Sequence, residues 1–282
     1  MIGVKISDGL GNQLFQYSTA YSVAKKNHTG LILDHSILDT NPVRTYELDQ
    51  FHLDYDKAVG VSQYPTKPLK VAARAVLQKS LFSSYEQVNE KELYAYDESI
   101  FDCGNKNVYL NGYWQNYRYF KDYRKELQAM IRPVNALSSY AQNMTETIQR
   151  TEHSVSVHIR RGDYVGHGAL PSSYFMGAMN RMREQLSDPM FFIFSDDTEY
   201  IRALFGTSDQ IVIIDNPSGN QSVEDFLLMK ACRYHIIGNS TYSWWAAYAA
   251  EETHTICPIY QDWTEDFYPT EWERIDVAEE TR

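Results

Sequence analysis

Apolar residues along this chain come in short runs, each closed by small or polar residues. Ile2, Val4 and Ile6 alternate before a glycine pair, Gly9 and Gly11, and a stretch of helical character covers about Asn12 to Asn27. A second run, "GLILD", ends at Asp34. Tyrosine- and aspartate-rich segments follow, then "VYLNGYW" (108–114) as a strand and helical stretches over roughly 117–131 and 135–150. From about residue 153 the pattern becomes regular. "SVSVHI", "MFFIF", "QIVIID", "YHIIG" and "HTICP" read as strands, with helices over 172–187, 197–205, 222–232 and 240–251 between them. Strands alternating with helices at this spacing build a parallel, doubly wound sheet. Such sheets bind ligands outside the carboxyl ends of their strands, so the polar residues there are the candidates for chemistry.

The richest end is "SVSVHIRRGDY", where His158, Arg160, Arg161, Gly162 and Asp163 close an apolar strand. Two arginines in that place are costly without an anionic partner, and a guanidinium matches phosphate oxygens bidentately. Successive strand residues face opposite ways, so Arg160 and Arg161 do not grip the same oxygens. One binds a ligand while the other pairs with Asp163 or props the loop; the alternative is an internal Arg–Asp ion pair with no ligand. His158 reads either as a core histidine or as a site residue. In "MFFIFSDD", one of Asp196 and Asp197 caps the next helix and the other is free for a base edge, hydroxyls or a metal. In "HIIGNSTYSWW", Asn239, Ser240 and Thr241 start a helix whose backbone N–H groups suit an anion, while Trp244 and Trp245 read as core.

The opening "VKISDGLGNQLFQY" has the strand, Gly-x-Gly and helix order of a dinucleotide-binding turn, and Asp34 stands where a ribose-binding acid would. The third glycine of that fingerprint is Leu14, and Asn12 and Gln13 crowd the turn with amides, which weakens a cofactor reading.

Composition narrows the classes. With 282 residues, 43% hydrophobic and 22% charged, the chain is a globular protein of one large or two ordinary domains. A net charge of −11 argues against nucleic acid and requires an anionic ligand to be met by local cations. Met1 leads straight into a strand, which predicts no secretory leader, and the apolar runs fall far short of the roughly 20 residues that cross a bilayer. Cys103, Cys232 and Cys257 lack metal-type spacing and read as reduced, buried thiols of a cytoplasmic protein. The sequons at Asn27, Asn143, Asn220 and Asn239 mean little without a leader. "KPLKVAARAVLQKS" (67–80) reads as a surface helix, or as an amphipathic one resting on anionic membrane at the inner face of the cell.

Taken together, "GLGNQLFQY", "NGYWQNYRYF", "HIRRGDY", "FSDD" and "GNSTYSWW" resemble the bacterial α-1,2-fucosyltransferases of glycosyltransferase family 11, from Val4 to about Pro258. The resemblance implies a GT-B architecture of two Rossmann-like α/β domains facing a cleft, the C-terminal one doubly wound. Domains over 1–150 (acceptor side) and 151–282 (donor side) follow, with the tail after about 258 packing back on the first. It further implies a GDP-β-L-fucose donor, inversion at the anomeric carbon, no cofactor or essential metal, and a galactose-terminated or lipid-linked acceptor of surface polysaccharide (O-antigen) synthesis. By motif, Arg160 grips the pyrophosphate with Arg161 supporting it. His158 and one of Asp196 and Asp197 fall at the guanine, Asn239, Ser240, Thr241 and Ser243 on the phosphate-side helix turn, and Asn12 near the reacting centre. The common family form has glycine where this chain has Asp8. Asp8 and Asp163 are the carboxylates available as general base. Three rivals stand beside this reading: a different, metal-dependent sugar-nucleotide transferase; a non-catalytic glycan- or nucleotide-binding protein; and a nicotinamide oxidoreductase.

Overall fold

The computed structural model describes residues 1–60, 81–164, 168–251, 254–260, 263 and 265–277. The stretch considered for membrane contact, 67–80, lies outside the described residues. Two compact units emerge, Met1–Val134 with Thr264–Pro269 and Asn135–Trp263 with Thr270–Arg282.

In the first unit, β1 (Ile2–Lys5) leads into α1 (Leu10–Lys26), followed by β2 (Leu31–Asp34), β3 (Lys57–Val59), β4 (Glu86–Asn89), β5 (Val108–Asn111) and α2 (Arg124–Met130). The strands form one parallel sheet in the order β3-β2-β1-β5-β4. Chain direction across the sheet reverses at the β1/β5 pair. Where one helix over 117–131 is expected, the chain forms two short 3-10 turns before α2, the first of them started by the Asn116 side chain, which accepts from the Arg118 N–H. Thr264–Pro269 belongs to this unit: Phe267 is fully buried, with ring centroids 5.9 Å from Phe15 and 5.4 Å from Tyr94.

The second unit starts earlier than the 150/151 boundary expected from sequence. It begins with α3 (Ser139–Arg150), whose N-cap Ser138 donates through its backbone N and Oγ to Glu224 at 2.6 and 2.8 Å, tying that helix to its own unit. Then come β6 (Ser154–Ile159), α4 (Ser172–Gln185), β7 (Met190–Ser195), α5 (Thr198–Phe205), β8 (Ile211–Ile213) and α6 (Gln221–Ala231). β9 (Tyr234–Ile236), α7 (Thr241–Ala249), β10 (Thr255–Ile259) and β11 (Glu273–Asp276) complete it. All strands run parallel in the order β11-β10-β9-β6-β7-β8, so the winding reverses between β6 and β9. That is a doubly wound sheet with its switch point where Arg160 leaves β6.

The core repeats the sequence pattern. Val155, Val157 and Ile159 of β6 pack with Leu170, Phe175, Met179, Ile193 and Ile236. Each such buried side chain contributes about 1.5–3 kcal/mol. Cys103, Cys232 and Cys257 are free and buried. Trp244 and Trp245 are fully buried, and Trp244 lies 4.7 Å from the Tyr248 ring and 5.4 Å from that of Trp272. They are core, not a ligand platform. Trp244→Ala is expected to cost about 3–5 kcal/mol of stability in urea unfolding.

Candidate active site

Two strand-end clusters gather the polar residues singled out by sequence, one in each unit. In the second unit, β6 and β7 are in register with Ile159 opposite Ser195, so the residues that leave them are neighbours. Arg160 Nη1 lies 3.0 Å from Asp196 Oδ2, and Arg161 Nε donates to Asp197 Oδ2 at 3.2 Å. The Arg161 backbone N–H also donates to Asp196 Oδ1 at 2.8 Å. Asp197 caps α5 by accepting from the Tyr200 N–H at 3.0 Å, and the Arg161 guanidinium stacks 3.4 Å from the Tyr200 ring centroid. A Cβ on Gly162 would run into the Asp196 carboxylate, so glycine is required there by close approach rather than by its φ. One aspartate caps the helix as expected. The other, Asp196, accepts from the Arg160 side chain and the Arg161 backbone. Arg160, Arg161 and Asp196 each keep about a quarter of the side chain in solvent, and Asp197 about a third.

His158 lies beneath this cluster, 6% exposed, its Nδ1 buried without a hydrogen-bond partner. Burial and then the Arg160 charge pull its pKa down to about 4, against a smaller opposing pull from Asp196. The imidazole is therefore neutral at physiological pH.

Across the switch point, α7 begins at Thr241 with Ser240 as its N-cap and no side-chain cap hydrogen bond. Capping by Ser240 is thus not what its hydroxyl does. The N-terminal end of a helix left without such a cap favours anions. Two residues expected at the donor are turned elsewhere. The buried Ser243 hydroxyl donates back to the Ser240 carbonyl at 3.2 Å, and the Asn239 amide donates to the Gly168 carbonyl at 2.8 Å. The Asp163 side chain lies outside the described part of the structure. Among the described residues no group of three or more His, Cys, Asp or Glu side chains is disposed to hold a metal ion.

In the first unit the amides of the opening motif hold loops. Gln13 Nε2 donates to the carbonyls of Asp8 (2.8 Å) and Thr45 (2.7 Å), and its Oε1 accepts from the Glu47 N–H. Gln16 accepts from the Ser7 N–H and donates to the Gly112 carbonyl. Asn12 Oδ1 accepts from Gln115 at 2.8 Å. Asp34 is buried and accepts from Ser36 and from the Tyr109 hydroxyl, so no ribose-binding acid stands at the end of β2. The dinucleotide reading falls on that point.

Asp8 has a left-handed backbone, φ 64°, at the position where the family resemblance expects glycine. Its Oδ2 accepts from the Tyr113 hydroxyl at 2.7 Å. Glu90 in turn accepts the N–H groups of Tyr113 (2.8 Å) and Trp114 (2.9 Å), fixing the loop after β5. Sequence reading missed Tyr113 and Glu90; the motif "NGYW" was the only signal. These residues border a cavity of about 450 Å³ at the carboxyl ends of β1, β4 and β5.

A doubly wound unit whose switch point carries paired arginines on one strand and a helix N-terminus after the neighbouring strand, joined to a second parallel-sheet unit, is the make-up of a GT-B glycosyltransferase. The solved fucosyltransferase NodZ from Bradyrhizobium shares this fold at a TM-score of 0.55 and 13% identity, over 88% of this chain and 93% of that one. The glycosyl transferase family 11 model matches residues 62–276, and the chain belongs to that family. Relatives include an α-1,2-colitosyltransferase of Escherichia coli, 30% identical over 98% of this chain and 99% of its own length. The galactoside 2-α-L-fucosyltransferase SEC1 of Bos taurus is 26% identical over 86% of this chain and 62% of its own length.

The depressed pKa of His158 has a thermodynamic consequence. Unfolded, the ring takes its proton near pH 6.5; folded, it waits until about 4. Its contribution to stability is therefore complete above pH 6.5 and is lost as pH falls toward 4. Replacing His158 with asparagine is expected to flatten that part of the stability–pH curve measured by urea midpoints.

Proposed function

We propose that this chain transfers L-fucose from GDP-β-L-fucose to the 2-hydroxyl of a terminal galactose in a bacterial surface glycan, with inversion and without a metal ion. The observation that carries the reading is the pair Arg160 and Arg161 at the carboxyl end of the switch-point strand, whose neighbour β9 leads into the N-terminus of α7. Membership of family 11 and the activities for which its relatives are named support it.

The acceptor oxygen forms a bond to the anomeric carbon as the bond from that carbon to the β-phosphate oxygen breaks. Negative charge grows on the departing GDP, and the sugar becomes cation-like. A guanidinium and helix N–H groups aimed at those oxygens bind the transition state more tightly than the donor, which is what lowers the barrier. A guanidinium carries five donors, so pairing with Asp196 and gripping a diphosphate are compatible. Asp196 orients Arg160, and Asp197 with Tyr200 holds Arg161. The neutral His158 adds no charge beneath Arg160 and is assigned to the nucleotide side. Thr241 and Ser240 contribute at the helix start, while Asn239 and Ser243 act by holding the loop and the first turn. Asp8 is the general base that takes the acceptor proton.

One observation favours a second donor. The 30%-identical relative that matches along 98% of this chain is named for colitose, so another GDP-linked deoxysugar is the alternative. Incubation with either GDP-sugar and a panel of β-galactosides, with the linkage read by NMR, decides between them. Product only from GDP-colitose overturns fucose. No GDP release with any acceptor leaves a binding protein. Full activity in EDTA is expected; its loss returns the metal-dependent transferase.

Arg160→Ala is expected to lower turnover about 10²–10³-fold, roughly 3–4 kcal/mol, in a protein that still unfolds cooperatively. Asp8→Asn is expected to lower turnover about 10²–10⁴-fold, and near-normal turnover would move the base to Asp163.

A further inference from the structure

Three neighbouring strands of the first unit, in sheet order β1-β5-β4, each release one polar residue beyond their carboxyl ends: Asp8 after β1, Tyr113 after β5 and Glu90 after β4. The three are joined. Glu90 Oε2 accepts the Tyr113 N–H at 2.8 Å, Glu90 Oε1 accepts the Trp114 N–H at 2.9 Å, and the Tyr113 hydroxyl donates to Asp8 Oδ2 at 2.7 Å.

The turn that Glu90 grips is not a relaxed one. Trp114, almost wholly buried, has a left-handed backbone of φ 57°, a genuine outlier for so large a side chain. Gly112 lies so close that a Cβ there would strike the Glu90 side chain. Strain of this kind persists only where the surroundings over-determine it, and it collects where geometry matters to function. The group that over-determines it here is a single carboxylate bonded to two successive N–H groups. Asp8 is held from its own side as well, with φ 64° and a carbonyl that accepts from Gln13. Burial, and then the Asp8 carboxylate, push the Tyr113 hydroxyl up to about 12, so it keeps its proton and donates. Among the described residues only that hydroxyl bonds to the Asp8 carboxylate, which leaves Oδ1 able to receive a proton.

We propose that Glu90, Tyr113 and Asp8 form a positioning relay: Glu90 fixes the turn, the turn fixes the Tyr113 hydroxyl, and that hydroxyl locks the Asp8 carboxylate in the rotamer from which Oδ1 takes the acceptor proton. The proton passes from the acceptor hydroxyl to Oδ1 as the acceptor oxygen bonds to the anomeric carbon and the bond to the β-phosphate oxygen breaks. Tyr113 and Glu90 are positioning residues and exchange no proton. Such residues matter because misplacing a reacting group by about 1 Å can cost about 10²-fold in rate. The relay rests on the assignment of Asp8 as base in the transferase reading.

Initial rates with the GDP-sugar that supports transfer and a β-galactoside acceptor are measured for the wild type, Tyr113→Phe, Glu90→Gln, Asp8→Asn and the double variant Asp8→Asn with Tyr113→Phe, beside GDP calorimetry and urea midpoints. Tyr113→Phe, which keeps the ring and loses only the O–H, is expected to lower kcat about tenfold while the acceptor KM stays within about threefold. Glu90→Gln, whose amide can accept one of the two N–H groups but not both, lowers kcat by a similar factor. In the Asp8→Asn background Tyr113→Phe changes kcat less than about twofold, because the hydroxyl has no base left to position. GDP affinity is the same in all. Near-normal kcat in Tyr113→Phe overturns the relay, and so does an undiminished tenfold loss in the Asp8→Asn background, which would make Tyr113 act independently of Asp8. Near-normal turnover of Asp8→Asn removes the base and the relay with it, and a wild type that transfers no sugar removes both together with the transferase reading. If Glu90→Gln does not fold, the Tyr113→Phe cycle decides.

Discussion

Two adjacent guanidinium groups at the end of a buried strand must be answered by negative charge, and the second unit is organised around that requirement. The β6–β7 register brings Asp196 and Asp197 alongside Arg160 and Arg161, one carboxylate to each side chain. Asp196 also takes the Arg161 backbone N–H, which fixes the turn as well as the charge. Gly162 follows because the carboxylate occupies the space a side chain would need. The histidine below stays neutral for the same reason, since burial and the neighbouring cation both oppose a second positive charge. Both cations are thereby held in place by the protein's own carboxylates.

The first unit solves a different problem with amides. Its opening turn is clamped by buried glutamines, which tie three backbone segments to one helix. On that clamp sits an aspartate in a conformation glycine adopts more easily, at a cost of about 1 kcal/mol. The bond from Tyr113 is the local return for that strain, and it fixes the orientation of the carboxylate. One unit thus fixes two cations between carboxylates, and the other fixes a carboxylate against a phenol hydroxyl.

The central strands were legible in the sequence because they are buried on both faces. β6 coincides residue for residue with "SVSVHI", and the helices between β6 and β10 fall within a few residues of their expected limits. β3, β4 and β11 gave no signal: each is an edge strand of three or four residues, exposed or half-buried, with no apolar alternation to read. The arginines announced themselves by charge in an apolar context. Their partners did not, since pairing depends on register between strands more than thirty residues apart in sequence. That the Ser243 hydroxyl turns back to the Ser240 carbonyl was not legible, because a hydroxyl in a helix can return to its own backbone, a choice that composition does not reveal. Glu90 and Tyr113 were invisible for a related reason: their roles arise from contacts over twenty and a hundred residues.

The path of the chain carries one more consequence. After entering the second unit at Asn135, it lends Thr264–Pro269 back to the first before finishing the second sheet with β11. Phe267, wholly enclosed beside Phe15, is therefore a core residue of a unit whose other residues were completed 130 positions earlier. No single cut yields two whole halves: severing near residue 134 strips one half of an aromatic plug and leaves the other carrying a stranded apolar hook. Swapping modules among relatives must accordingly exchange two discontinuous pieces together, and the nascent amino-terminal portion cannot reach its final packing until almost the entire polypeptide has left the ribosome.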